Sequence, residues 1–231
     1  MITQQQLIDM VQKHFPHAGE TEVLLMLNQA VKEFCQDTKI LRELVTVTTV
    51  ANTTAYTLDA DVIQVDEVTE GTTLYTPLQK RPEHFRASKE KVYWIDKGVI
   101  NIGNVADGAI SALSAGLTIN LHCRTLANDL SEFVQLLDQA GNPVFDNNND
   151  PIYVVNQDYV DGPNIPKQFH KAPAYKAIAD LYPDQTDMDL VDRLRMSDKF
   201  QSMYERLVRA AQAHAEINHS GQGFSLTPHY Y

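Results

Sequence analysis

The hydrophobic pattern of this chain changes its period twice, and this change limits the folds that the chain can adopt. Before Leu44 and after Pro166, apolar residues recur at spacings of three and four, which is typical of amphipathic helices. Between these points, β-branched residues fall in short runs separated by turn residues, which favours strands. The sequence therefore predicts an α+β fold, in which a helical bundle from the two ends carries an inserted antiparallel β domain.

The N-terminal segment predicts two helices. Thr3 and Gln6 have the spacing of a capping box, and the helix that they begin is expected to end near Pro16. A second helix is predicted over residues 20–39, after Gly19, because its apolar residues keep a helical period. Its predicted buried positions are Val23, Leu27, Ala30, Val31 and Phe34.

The middle of the chain predicts short strands with turns between them. A β-branched run starts at Leu44, and a second strand region covers residues 56–68, followed by a turn at Glu70 and Gly71. Residues 92–102 predict a hairpin that turns at Asp96, Lys97 and Gly98, and Leu117, Ile119 and Leu121 alternate with polar residues. Together these strands predict a small sandwich or barrel, with one candidate helix near residues 82–88.

Residues 129–166 predict an excursion from the β domain. The stretch DLSEFVQLL fits either a helix or a strand, whereas IYVV favours a strand. The DNNNDP segment and the Asp-Gly-Pro at residues 161–163 are turn sequences.

Helical periodicity returns after Pro166. Tyr175, Ile178 and either Leu181 or Tyr182 predict one face of a helix that ends at Pro183. A longer amphipathic helix is predicted to run to about Ile217. Its predicted apolar face is Leu190, Leu194, Met203, Leu207 and Ala210. Its polar face, expected to contact solvent or another subunit, includes Arg193, Arg195, Lys199, Arg206 and Arg209.

These patterns predict three parts of the chain. Residues 1–43 and 167–217 are expected to form the helical bundle, residues 44–166 the β-rich insertion, and residues 218–231 an extended tail. The tail has no helical or strand period, so we expect it to be ordered by a partner. Its aromatic and apolar residues are the predicted anchors of that contact: Phe224, Leu226, Tyr230 and Tyr231.

The charge of the chain argues against a surface that grips duplex DNA. The 231 residues carry a formal net charge of −11, of which −9 falls in residues 44–166. Strong duplex binding requires clustered Lys and Arg, although an acidic protein can still let DNA slide past it. The two cysteines, Cys35 and Cys123, predict synthesis in a reducing compartment, and neither a signal peptide nor a membrane span is expected.

No motif in the sequence predicts catalysis, a metal ion or another cofactor. Asp146, Asn148 and Asp150 begin like a calcium loop, but Pro151 and Gln157 break the pattern. Trp94 is compatible with a sugar-stacking platform, but an aromatic residue of the core or of an interface is the commoner case. The acids of the β region could include a glycosidase pair, although a solvated acidic face is the commoner explanation. These acids are Asp59, Asp61, Asp66, Glu67 and Glu70.

The order of several segments resembles one family of virion proteins. The segments are ETEVLLMLNQAVKEFCQDTK, YTLDADVIQVDEV, DKGVINIG, IPKQFHKAPAYKAIADLY and MYERLVRAAQ. Their order and spacing over most of residues 20–126 and 164–212 resemble the head-to-tail adaptor proteins of tailed phages, above all the tail tubular and head-completion adaptors of short-tailed phages.

This resemblance implies a structural role in the virion. Copies would form a homo-oligomeric ring, usually a dodecamer, beneath the portal protein at the head-to-tail junction. The C-terminal segment would reach the portal, and the β domain would face the next tail or nozzle protein. Genomic DNA would pass through the ring without specific binding, and the protein would be made in the cytoplasm of the bacterial host. No catalysis, cofactor or membrane contact is implied.

Two other readings of the sequence stay open. One is a particle-associated peptidoglycan or glycan hydrolase that uses a carboxylate pair of the β region. The other is a structural or binding protein at another position: a tail terminator, or a glycan-binding module built around Trp94.

Overall fold

The computed structural model of the protein describes residues 2–78, 90–106, 109–130, 133–135, 153–155 and 163–220. The helices are α1 (Gln4–Gln12), α2 (Glu20–Thr38), α3 (Ala172–Leu181) and α4 (Leu190–Ser220), with 3-10 turns at Lys167–Phe169 and Tyr182–Asp184. The strands are β1 (Arg42–Thr48), β2 (Ala55–Thr57), β3 (Val62–Glu70), β4 (Thr73–Leu74), β5 (Thr76–Pro77), β6 (Glu90–Asp96), β7 (Val99–Ala106), β8 (Ala109–Ser111), β9 (Thr118–Thr125), β10 (Phe133–Gln135) and β11 (Tyr153–Val155). The fold thus contains both helices and antiparallel sheets, as the sequence predicts.

The chain divides into two compact units. The β unit is Lys39–Leu126, and the other unit combines the described parts of Met1–Thr38 and Ala127–Tyr231. The predicted insertion extends further, to residue 166. The difference has a local cause, since the Leu130 N–H donates a hydrogen bond to Asn28 Oδ1 at 2.7 Å, and Asp129 pairs with Lys32 at 2.8 Å. These contacts hold residues 127–130 against α2, and a local sequence pattern does not reveal them.

The helical unit begins with the predicted capping box. Thr3 Oγ1 accepts a hydrogen bond from the Gln6 N–H at 3.2 Å, and Gln6 Oε1 accepts one from the Thr3 N–H at 3.1 Å. Both bonds satisfy N–H groups that have no partner inside the helix. Helix α2 also follows its prediction, since all five of its predicted buried residues lie in the core.

Helix α3 is rich in small residues where it meets its neighbours. Its alanines at positions 172, 174, 177 and 179 are buried, and the helix contacts α1, α2 and α4. Small side chains let helix axes approach closely, so α3 can pack against three helices at once. Its final residues follow the prediction, because the helix stops at Leu181, before Pro183, and Tyr182 is buried.

The predicted apolar face of α4 is wrong. Phe200, Tyr204, Ala211 and Ala215 form the buried side of this helix. Four of the five residues predicted for that side are exposed: Leu190, Leu194, Met203 and Ala210. Helix α4 carries apolar residues on more than one side, so a helical period alone cannot show which side the other helices cover.

The β unit is a sandwich, one of the two predicted architectures. One sheet has the strand order β1-β9-β3-β4, and the second has the order β2-β7-β6-β5 with β8 paired to β7. Residues from both sheets share one core, including Val68, Ile119 and Leu121 from the first sheet and Ile100 and Ile102 from the second. The sandwich thus buries the inner face of each sheet against the other.

The predicted hairpin is formed by β6 and β7, with Asp96 paired to Val99. Lys97 and Gly98 have φ angles of 49° and 76°, as a two-residue type I′ turn requires. The second sheet is not wholly antiparallel, however, since β5 runs parallel to β6. In the excursion, IYVV contains β11 as predicted, and DLSEFVQLL, left open between helix and strand, contains β10.

Candidate functional site

Two of the five acids considered for glycoside hydrolysis have basic partners. Asp66 accepts a hydrogen bond from Arg124 Nε, and Glu70 accepts hydrogen bonds from Lys91 Nζ and from Tyr75 Oη. The hydrogen bond from Lys91, followed by that from Tyr75, holds the pKa of Glu70 below its usual range. A glycosidase acid needs the opposite shift, because it must keep its proton near neutral pH. Glu70 is therefore suited to structural pairing, and the other three acids, Asp59, Asp61 and Glu67, are exposed.

Trp94 belongs to a small apolar cluster on the second sheet. Only 7% of the residue is exposed, and it packs with Val92 and Val105. This confirms the commoner reading, a core aromatic. Its remaining exposed part borders a cavity of about 300 Å³, which Asp96 and Asn101 also line. A sugar-stacking platform needs an open ring face, and the burial of Trp94 leaves little of that face available.

The two thiols are buried and free, one in each unit. Burial raises the pKa of Cys35 and of Cys123 to about 11, so both stay protonated near neutral pH. A protonated thiol is a poor nucleophile and a poor metal ligand. Among the described residues, no cluster of three or more His, Cys, Asp or Glu side chains is arranged to hold a metal ion.

Three exposed apolar residues of the helical unit lie close together at the start of α4. Leu190, Val191 and Leu194 expose 56%, 70% and 49% of their surfaces. They lie within five residues, at spacings that put them on neighbouring positions of the helix surface. Clustered exposed apolar side chains of this kind mark a surface that binds another protein. The sequence pattern missed this surface because it assigned Leu190 and Leu194 to the core.

The basic residues of α4 lie mostly as predicted. Arg195, Lys199, Arg206 and Arg209 are exposed. Arg193 is the exception, since it is half-buried and its Nη1 donates a hydrogen bond to the Pro183 carbonyl at 3.0 Å. This bond ties the first turn of α4 to the 3-10 turn at Tyr182–Asp184.

Several predicted features lie outside the described residues. The candidate helix at residues 82–88 and the DNNNDP turn are among them. So are the four predicted docking residues, Phe224, Leu226, Tyr230 and Tyr231. Their role in docking stays a prediction.

The described residues thus contain two compact units, buried free thiols, acids paired with basic side chains and a group of exposed leucine and valine side chains at the start of α4. Of the helices in the described part of the chain, none combines the length and apolar character that a membrane span requires.

The family model described as SU10 adaptor protein matches residues 2–223, nearly the whole chain. The chain belongs to this family, which is a family of phage head-to-tail adaptors. It is therefore a structural phage adaptor and a virion component, and this family implies association with portal and tail proteins. A search of the curated proteins found no match to the chain.

Proposed function

We propose that the chain forms a ring beneath the portal, joins the DNA-filled head to the tail and continues the DNA channel. The observation that carries this proposal is the family match over residues 2–223, which includes both units and the chain between them. A dodecamer matches the usual portal symmetry. In this ring the helices act as a bundle that forms the wall, and the β domain faces the next tail or nozzle protein.

The portal contact is assigned to residues 218–231. Helix α4 runs to Ser220 and so includes the first three residues of this segment, and Phe224, Leu226, Tyr230 and Tyr231 follow it in the sequence. A contact made once by each subunit is repeated around the ring, so weak single contacts give high total avidity. The tail then orders on binding, which delays ring formation until a portal is present.

The charge of the chain supports a DNA conduit. With a formal net charge of −11, the protein has no overall attraction for phosphates. A channel lined by Lys and Arg would hold DNA by releasing counterions and would slow its passage. The channel-facing surface is therefore expected to be neutral to acidic, and the genome passes without specific binding.

Electron microscopy of the purified full-length protein mixed with the portal of its own phage tests this proposal. We expect a ring of added density at the narrow end of the portal, and its symmetry gives the copy number. The same map shows whether Lys and Arg line the channel, which would contradict the proposed conduit surface. A folded protein that leaves the portal bare would contradict the adaptor position and favour a more distal tail protein, such as a tail terminator.

A further inference from the structure

Strand β1 is an exposed edge of the sandwich. It pairs with β9 on one side, and among the described strands none pairs with its other side. Leu44 is 53% exposed, and no charged residue occurs from Leu44 to the end of the strand at Thr48. Natural sheets protect such edges with charge, proline, bulges or very short strands. Beyond the charged pair at its start, β1 has none of these protections.

The backbone of β1 also presents free hydrogen-bonding groups on this edge. The Leu41 carbonyl accepts a hydrogen bond from the Thr125 N–H, and the Thr49 N–H donates one to the Leu117 carbonyl. In the same register, the backbone N–H and C=O groups of the odd-numbered residues of β1 point toward β9. The N–H and C=O groups of Leu44, Thr46 and Thr48 therefore point away from the sheet. Within the part of the chain that the structure describes, no backbone group bonds to them.

The opposite edge of the same sheet also exposes a leucine. The two-residue strand β4 is the last described strand on that side, and Leu74 is 61% exposed. Tyr75 donates its N–H to the Val68 carbonyl, so in this register the N–H and C=O of Leu74 point outward. Leu44 pairs with His122, and Leu74 pairs with Thr69. His122 and Thr69 each lie next to a core-facing residue of their own strand. Both leucines therefore lie on the outer face of the sheet, one at each edge.

We propose that β1 of one copy pairs with the β4 edge of the next copy, so that the first sheets of adjacent subunits join head to tail. This inference rests on the proposed ring. A contact between two different edges of one sheet is heterologous, and heterologous contacts repeated by rotation close into rings. Strands β1 and β4 run in opposite directions, so copies rotated about an axis roughly parallel to the strands meet with these edges antiparallel.

The proposed contact would also cover two half-buried side chains of β1. Val45 and Val47 pack on the sandwich core but are only half-buried, and none of the described strands lies beyond them. The β4 edge of the neighbouring copy would lie against their open side, and the outward N–H and C=O of Leu74 would pair with those of one β1 residue. Pairing of two β1 edges would do the same, but it would give a closed dimer and leave Leu74 exposed.

Crosslinking inside the virion tests this pairing. The double variant carries Thr46→Cys on β1 and Leu74→Cys on β4, both exposed positions on the outer face. These residues are separated by three strand spacings, about 14 Å, within one copy. A disulfide spans Cα atoms at most about 7 Å apart, so copper-catalysed oxidation can link them only between copies. The native Cys35 and Cys123 are buried and do not compete.

We expect purified double-variant virions to give a ladder of linked subunits beyond the dimer, and each single variant to give monomers. Dimers from Thr46→Cys alone would overturn the proposal, since two β1 edges would then face each other. A lack of any ladder in virions that contain the chain would overturn it as well, while leaving the adaptor function intact. If virions of the wild-type phage do not contain this protein, the proposed function is refuted, and the proposed pairing is refuted with it.

A second variant covers the case in which the cysteines block assembly. Leu44→Lys places a charge on the edge that β1 offers, and we expect incorporation into virions to fall at least tenfold. Leu25→Lys is the matched control, because Leu25 is 58% exposed and belongs to the helical unit. Purified Leu44→Lys protein should keep the wild-type melting temperature. Wild-type incorporation of this variant would contradict the proposed pairing.

Discussion

At the residue scale, the Asp66–Arg124 pair is a strong test of how the sandwich is held together. The two side chains are only 16% and 9% exposed, and Arg124 Nη1 also donates a hydrogen bond to the Lys39 carbonyl at 2.7 Å. Removal of the carboxylate would leave a buried guanidinium without its counter-charge. We therefore expect Asp66→Ala to lower the free energy of unfolding by about 3–5 kcal/mol, measured by urea denaturation.

The neighbouring acid supplies the control for this prediction. Glu67 lies next to Asp66 on β3 and is exposed, so Glu67→Ala should change the free energy of unfolding by no more than about 0.5 kcal/mol. Equal effects of the two substitutions would show that the Asp66 pair contributes no more than an ordinary surface charge.

His14 gives the helical unit a pH dependence. Its Nδ1 lies 3.0 Å from Tyr182 Oη, and its ring packs edge-on against Phe200. Burial lowers the pKa of His14, and the nearby Lys13 and Lys199 lower it further. The unfolded chain, with a His pKa of about 6.5, then binds the proton more readily than the folded one. Stability is therefore full above about pH 6.5 and falls as the pH drops toward the folded pKa.

Thermal or urea unfolding at about pH 7.5 and about pH 5.5 measures this dependence. We expect the wild type to lose more free energy of unfolding between these pH values than His14→Gln does. His17→Gln is the control, because His17 is exposed on the same segment, and it should keep the wild-type loss. Parallel pH profiles for His14→Gln and the wild type would rule out His14 as the source.

At the element scale, the β6–β7 hairpin contains a residue that is poorly suited to its conformation. Lys97 has a φ of 49°, in the left-handed region, where a side chain other than Asn or Gly is strained. Lys97→Asn should therefore raise the free energy of unfolding by about 0.5–1 kcal/mol, measured by urea denaturation. Lys97→Ala removes the same side chain without the preference for this conformation, so it should give no such gain.

Local pattern and long-range packing explain which elements could be predicted. The capping box at Thr3 and the hairpin around Gly98 depend on residues close in sequence, and both were predictable. The buried side of α4 depends on which helices cover it, and the sequence pattern chose Leu190 and Leu194 instead of Phe200 and Tyr204. Pairing of β1 with β9 joins strands about seventy residues apart, beyond the reach of any local signal.

The same limit applies to the proposed binding surfaces. An edge strand is defined by the order of strands in its sheet, and the run LVTVTTV reads the same whether it lies at an edge or in the centre. Only the observed order makes Leu44 and Leu74 surface residues. The adaptor family, by contrast, was predictable, because it depends on the order and spacing of segments along the chain.

At the scale of the whole molecule, residues 218–231 are expected to be needed for assembly but not for folding. The last described buried side chain of α4 is Ala215, so deletion of residues 218–231 removes no described core residue. We expect the truncated protein to keep its circular dichroism and melting temperature. Its binding to DNA-filled heads should fall roughly a hundredfold or more, because every subunit of the ring loses the same contact. Cosedimentation with heads measures this loss.

A full-length variant distinguishes a specific contact from a simple need for chain length. Replacement of Phe224, Leu226, Tyr230 and Tyr231 by Ser keeps the length but removes the apolar anchors. If these side chains bind the portal, this variant should be as defective in head binding as the deletion. Normal incorporation of either variant into virions would refute the docking role of the tail and assign portal binding to another surface, for which the exposed start of α4 is the next candidate.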